Sequence, residues 1–169
     1  PEEWWQAVKE ALAEVIGSKV SSRDSLYVGV TGQMHGVVAL DKDGDPVYPA
    51  IIWADTRTDK EVDFIKNNLS QEQQKRLANP IVDGFSAPKI LWLLNHKQQL
   101  KDNIEQILLP KDYIIYKLTD EFTAEEADAS ATLMFDVEGR SWDQEVLDSL
   151  GIPGELLPEV RKPASIISD

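Results

Sequence analysis

Leu26-Tyr27-Val28-Gly29-Val30-Thr31-Gly32-Gln33-Met34-His35-Gly36 passes from a β-branched apolar run straight into a polar turn flanked by glycines. The apolar half predicts a buried strand, and Val37 to Leu40 predicts another directly behind it. Polar groups at the end of a sheet strand occupy the place where α/β proteins bind ligands. Gln33 and His35 supply donors and acceptors there, and Gly32 and Gly36 allow close backbone approach. A plainer possibility is a tight turn in which His35 meets a backbone carbonyl, and spacing alone favours it.

Working outward, Trp5, Val8, Leu12, Val15 and Ile16 recur at helical spacing between Glu3 and Gly17, which predicts an amphipathic helix with Gly17 as its C′ residue. Asp43-Gly44-Asp45-Pro46 marks a turn, and Ala50-Ile51-Ile52-Trp53 predicts a further strand. Val62, Ile65 and Leu69 continue at helical spacing behind an acidic first turn. Ser70 and Gln73 have capping-box spacing, placing a short helix from Gln71. Pro88 sits where a helix tolerates proline, and Ile90 to Leu94 gives that helix an apolar body. Ile107-Leu108-Leu109 predicts a strand stopped by Pro110, with Asp112 as the cap of a helix from Tyr113 to Leu118. Trp142, Val146, Leu147 and Leu150 before Gly151 complete one more helix. Strands alternating with helices in this way indicate an α/β domain.

Charge and composition exclude several classes of function. The 169 residues carry 17 Lys+Arg against 30 Asp+Glu, a formal charge of −13, with 42% hydrophobic and 28% charged residues. This is an ordinary globular composition. Its acidity argues against nucleic acid and anionic membranes as partners, since phosphate-backbone binding draws on basic clusters. There is no cysteine, and no apolar run reaches the roughly 20 residues of a membrane span, so a cytoplasmic location is expected. The chain opens at Pro1 and not at Met, which points to a piece of a longer protein.

Few residues announce chemistry by spacing. There is no Gly-x-Ser-x-Gly, His-Glu-x-x-His, Gly-x-Gly or phosphate-loop motif. Trp53-Ala54-Asp55-Thr56-Arg57 places an indole beside a carboxylate and a guanidinium, a set that can stack on a sugar face and bind its hydroxyls. The plainer possibility has Asp55 capping the next helix and pairing Arg57. Lys89 can present its charge to an anion, although a helix with Trp92 in the core accounts for most of that segment.

Read together, these segments resemble the FGGY family of carbohydrate kinases. Gly84-Phe85-Ser86-Ala87-Pro88-Lys89-Ile90-Leu91-Trp92-Leu93-Leu94-Asn95-His96 fits the family's first signature throughout. Gly32 to Gly36, Pro49 to Arg57, Leu108 to Tyr113, Asp128-Ala129-Ser130 and Thr132-Leu133 resemble, in the same order, the members that phosphorylate D-xylulose. The resemblance implies a partial ribonuclease H-like (actin/hexokinase-like) α/β domain lacking its first strands. Residues 1–169 would be the sugar-binding part of the N-terminal domain of a two-domain kinase. Met34 and His35, with Gln33 beside them, would touch the ketopentose, and Trp53, Asp55 and Arg57 would border its pocket.

ATP and Mg²⁺ would be held mainly by parts outside this chain. The family's Asp-x-Gly-Thr phosphate loop and the Gly-Gly-x-Asp segment bearing its catalytic base are both missing here, so no catalytic or metal-binding residue is assigned and the piece alone is expected to be inactive. A small-molecule sugar is the expected partner, with a homodimer open for the parent. Because the family's first strands precede the helix at Trp4-Trp5, the truncated sheet is expected to leave an unpaired edge and an exposed apolar face that favour self-association. Gluconate kinases of the same family resemble Ala-Met-His-Ser where this chain has Gln33-Met34-His35-Gly36, but share the Trp-Ala-Asp segment. Gluconate is therefore the second expected substrate, and a non-catalytic sugar-binding module is the expectation from a different class.

Overall fold

A computed structural model describes residues 1–19 and 26–168. In chain order the elements are α1 (Glu2–Lys19), β1 (Val38–Leu40), α2 (Asp59–Asn68), α3 (Gln71–Leu77), α4 (Ser86–His96), α5 (Gln98–Lys101), β2 (Gln106–Leu108), α6 (Pro110–Thr119), β3 (Thr123–Glu125), α7 (Glu126–Ser130), β4 (Phe135–Asp136), β5 (Ser141–Trp142), α8 (Gln144–Leu150) and β6 (Glu159–Arg161). Among the described residues the strands form three two-stranded pairs: β1 with β2 antiparallel, β3 with β6 parallel, and β4 with β5 antiparallel. None of the described helices is long and apolar enough to cross a membrane.

The β1–β2 ladder divides two cores, because successive side chains of a strand point to opposite faces. Val37, Ala39 and Ile107 face a large cluster with Ile65, Leu77, Ile90, Leu93, Leu147 and Leu150. Val38, Leu40 and Leu108 face a smaller one with Tyr113 and Ile114, against which Trp4, Trp5 and Val8 of α1 are packed. Tyr113 is fully buried, and its hydroxyl donates to Glu2 across 2.9 Å, tying α1 to α6.

Local signals account for several helix boundaries. Ser70 Oγ accepts from the Gln73 amide at 3.2 Å while the Gln73 side chain returns to the Ser70 amide at 2.8 Å, the reciprocal capping box. Asp143 caps α8 by accepting from the Val146 amide, and Gly151 closes it at φ +66°. The helix after Leu109 begins earlier than expected. Pro110 is its first residue, and Asp112 lies inside its first turn, fully buried, instead of capping it. Proline at that position surrenders no hydrogen bond, which makes the earlier start favourable. Gly17 also does not end α1, which runs on to Lys19.

Two expected strands differ. Leu26 to Val30 forms no strand, and Tyr27 is 91% exposed. A strand must pair its N–H and C=O groups with a neighbour, and no described strand borders this run. β-branched content fits a residue to a pleated, half-buried surface without supplying that surface. Only Val30 packs, at the rim of the smaller core. Ala50 to Trp53 contracts to one bridge between Ile51 and Val37, with Trp53 exposed.

Candidate functional site

The Gly32–Gly36 turn is seated between the start of α6 and the end of α7. The Gly36 amide donates to the Met34 carbonyl at 2.9 Å across His35, whose φ is +66°. An i→i+2 bond around a positive φ is the rare, strained form of the γ-turn, and strain of this kind gathers at functional sites. Gly36 is needed for space, and Gly32 sits in a tight one. A Cβ on Gly36 would stand 2.6 Å from Pro110 Cγ, and one on Gly32 would stand 3.2 Å from Lys111 Cβ. Behind the turn, Val37 and Ile51 exchange two backbone hydrogen bonds of 2.9 and 3.0 Å, which fixes its exit.

His35 realises the backbone contact expected of a tight turn. Its Nδ1 lies 2.7 Å from the Ala131 carbonyl oxygen. A carbonyl only accepts, so Nδ1 carries the proton and Nε2 of the neutral ring is left as an acceptor. The ring packs on Phe85 with centroids 4.4 Å apart. Gln33 is half-buried beside it, and the Met34 side chain is exposed.

The second expected set lies next to the first. A Cβ on Gly84, the neighbour of Phe85, would stand 3.9 Å from the Trp53 carbonyl. Asp55 and Arg57 form a two-pronged pair, Nε to Oδ1 at 2.8 Å and Nη2 to Oδ2 at 2.6 Å. The Arg57 hydrogen bonds hold the Asp55 carboxyl below its ordinary value, so it stays ionised and acceptor-only. The guanidinium also lies 4.6 Å from the Trp92 ring centroid. The pairing is as expected, but the capping is not. α2 starts after Thr58, and Asp55 accepts from the Arg57 amide instead.

Two further expectations are corrected. Lys89 is fully buried and presents nothing to an anion. Its ammonium donates to the carbonyls of Asp83, Gly84 and Phe85 at 2.8, 2.5 and 2.8 Å. Burial pushes its pKa down to about 8, although the three carbonyls take its three protons. It braces the turn that carries Phe85 against His35. Trp92 is half-buried at the surface, with His96 stacked on it, because the apolar face of α4 turns Ile90, Leu91, Leu93 and Leu94 inward.

Motif reading missed one cluster. Lys111 Nζ lies 2.5 Å from Asp112 Oδ1 and 3.3 Å from Asp128 Oδ2. Burial would lower the Lys111 pKa, but the two carboxylates outweigh it and raise it. Burial raises Asp112 to about 6 against the pull of Lys111. The available signal was a Lys-Asp pair set inside the apolar run Leu108-Leu109-Pro110 to Tyr113-Ile114. Among the described residues no group of three or more His, Asp or Glu side chains can hold a metal ion.

Known proteins are similar to this chain in sequence and in fold. The chain is 41% identical over 161 residues to a xylulose kinase of Staphylococcus xylosus, an alignment covering 95% of this chain and 33% of that kinase. A ligand-bound xylulose kinase from Lactobacillus acidophilus superposes with a TM-score of 0.88 at 27% identity, over 100% of this chain and 34% of the other. A gluconate kinase from the same organism gives 0.85 at 26%, with the same coverage of each chain. The chain thus spans about one third of the length of the curated relatives it matches, and its fold is that of the actin/hexokinase-like kinases. The model of the FGGY family of carbohydrate kinases, N-terminal domain, matches residues 1–169, and the chain belongs to that family.

Proposed function

We propose that the full-length protein transfers the γ-phosphoryl group of ATP to a terminal hydroxyl of D-xylulose, giving xylulose 5-phosphate. In this reading residues 1–169 supply part of the sugar site. The observation that carries it is the strained turn at His35, which keeps Nδ1–H on the Ala131 carbonyl and leaves Nε2 to accept from a sugar hydroxyl. Met34 offers an exposed apolar surface beside it, and we assign the exposed Trp53 indole and the Asp55–Arg57 pair to the border of the same pocket. Phosphoryl transfer also needs a base for the hydroxyl proton and cations around the phosphates. We assign the base, ATP and Mg²⁺ to the remainder of the protein, and the chain alone to an inactive, cytoplasmic sugar-binding domain. The similarity to xylulose kinases at the level of sequence supports D-xylulose.

The superposition on a gluconate kinase supports gluconate as a second reading. ADP release by the full-length protein, offered D-xylulose, D-gluconate, glycerol and L-ribulose with Mg²⁺-ATP, decides between them. Preference for D-xylulose is expected. Preference for gluconate transfers the assignment, and silence on all four leaves a non-catalytic sugar-binding protein. Replacing His35 by Ala in the full-length enzyme should raise the sugar KM roughly tenfold, as loss of a hydrogen bond to a buried partner does, and leave the ATP KM unchanged. An unaltered sugar KM would confine His35 to its backbone contact.

A further inference from the structure

Among the described residues, several places carry buried or clustered polar groups, and the Lys111 cluster joins the two walls of the His35 turn. Lys111 is 7% exposed and Asp112 is fully buried. A buried ion pair is weak evidence of stability, because desolvation offsets its attraction, but it can fix one arrangement of the elements it joins. Here those elements are the two walls of the His35 turn. Pro110 and Lys111, at the start of α6, stand close against Gly36 and Gly32, where an added Cβ would meet Pro110 Cγ at 2.6 Å and Lys111 Cβ at 3.2 Å. Asp128 lies one turn before Ala131, and the Ala131 carbonyl takes the His35 proton. Lys111 reaches across from the first wall to Asp128 in the second at 3.3 Å while Asp112 anchors it at 2.5 Å.

We propose that Lys111 and Asp128 are positioning residues for the Gly32–Gly36 turn, their ion pair setting the separation of α6 and α7 between which that turn, and His35 with it, is held. In this proposal neither residue contacts the sugar itself. Asp112 compensates the buried ammonium, so the link between the helices can be cut at Asp128 without stranding a charge next to Lys111. The effect on sugar binding rests on the kinase reading above, whereas the effect on the turn does not.

The test is Asp128→Asn in the full-length protein, with Lys111→Met as the second variant. Amide exchange followed by mass spectrometry should show the peptide spanning residues 31–37 exchanging several-fold faster in both variants, while the α8 peptide, remote from the cluster, keeps the rate of the parent. The sugar KM should rise roughly threefold to tenfold in Asp128→Asn with kcat and the ATP KM little changed, since a displaced turn loses orientation of the sugar alone. Unchanged exchange at 31–37, or acceleration everywhere including α8, would overturn the positioning role. Faster exchange at 31–37 with an unmoved sugar KM would overturn its link to the sugar. If the parent phosphorylates no sugar at all, the kinase reading fails, and the exchange comparison still decides the role of the two residues.

Discussion

The body built from α2, α3, α4, α8 and the β4–β5 hairpin can be set against the N-terminal stretch from α1 to residue 34. Both carry clear apolar patterns, yet only the first is covered. Ile65, Leu77, Leu93 and Leu147 are almost wholly removed from water, whereas Val15, Ile16, Leu26, Tyr27 and Val28 remain exposed. Two helices of the body, α3 and α8, are capped by side chains, those of Ser70 and Asp143. Along the first half of α1, Trp4, Trp5 and Val8 pack on the smaller core. Pattern and burial are therefore separate properties. A periodic apolar face states a demand, and the rest of the fold decides whether it is met.

Substitutions sharpen this contrast. Leu93→Ala in the body should cost about 2–5 kcal/mol, because it opens a cavity in close-packed surroundings, and urea unfolding of the chain reads it. At the seam between the regions, the folded chain holds the Asp112 proton up to about pH 6 against an ordinary 3.8. Its contribution therefore grows as pH falls through that window and is lost as pH rises past 6. Relative to Asp112→Asn, the parent chain should gain on the order of 2 kcal/mol between pH 7 and pH 4, and a pH-independent difference would contradict the burial argument. Asp143→Ala removes both the α8 cap and one of the two carboxylate partners of Arg76, bonded at 2.6 and 3.1 Å. A loss of roughly 1–2 kcal/mol is expected from the melting temperature. Tyr27→Ser, in the uncovered stretch, should change stability by less than about 0.5 kcal/mol, and a larger loss would show that something covers it.

Legibility follows the range of the interaction. The capping box at Ser70, the Gly151 terminus and the apolar body of α4 depend on residues within a turn of one another, and each was readable. β3 and β6 were not, because Thr123-Ala124-Glu125 and Glu159-Val160-Arg161 are three residues long and take their parallel register from partners far along the chain. Leu26 to Val30 shows the reverse, a strong local signal with no neighbour to complete it. At the site, the residue types at His35, Asp55 and Arg57 were legible, including the backbone contact and the ion pair. Lys89 was misread because a lysine in the first turn of an apolar helix looks solvent-facing until the turn at Asp83–Phe85 is seen to fold over it. Lys111 was passed over because its partner Asp128 is remote in sequence.

The β1–β2 ladder has a kinetic meaning as well. Its two strands are separated along the chain by α2, α3, α4 and α5, so the register Val38↔Leu108 closes a loop containing four helices. The hairpin of β4 and β5 closes over a few residues. Loop-closure entropy makes distant pairings slow and near ones fast, so the hairpin and the capped helices can form early while the ladder waits for them to pack. Both cores and the exit of the His35 turn hang on that ladder, which makes ligand competence a late event in folding.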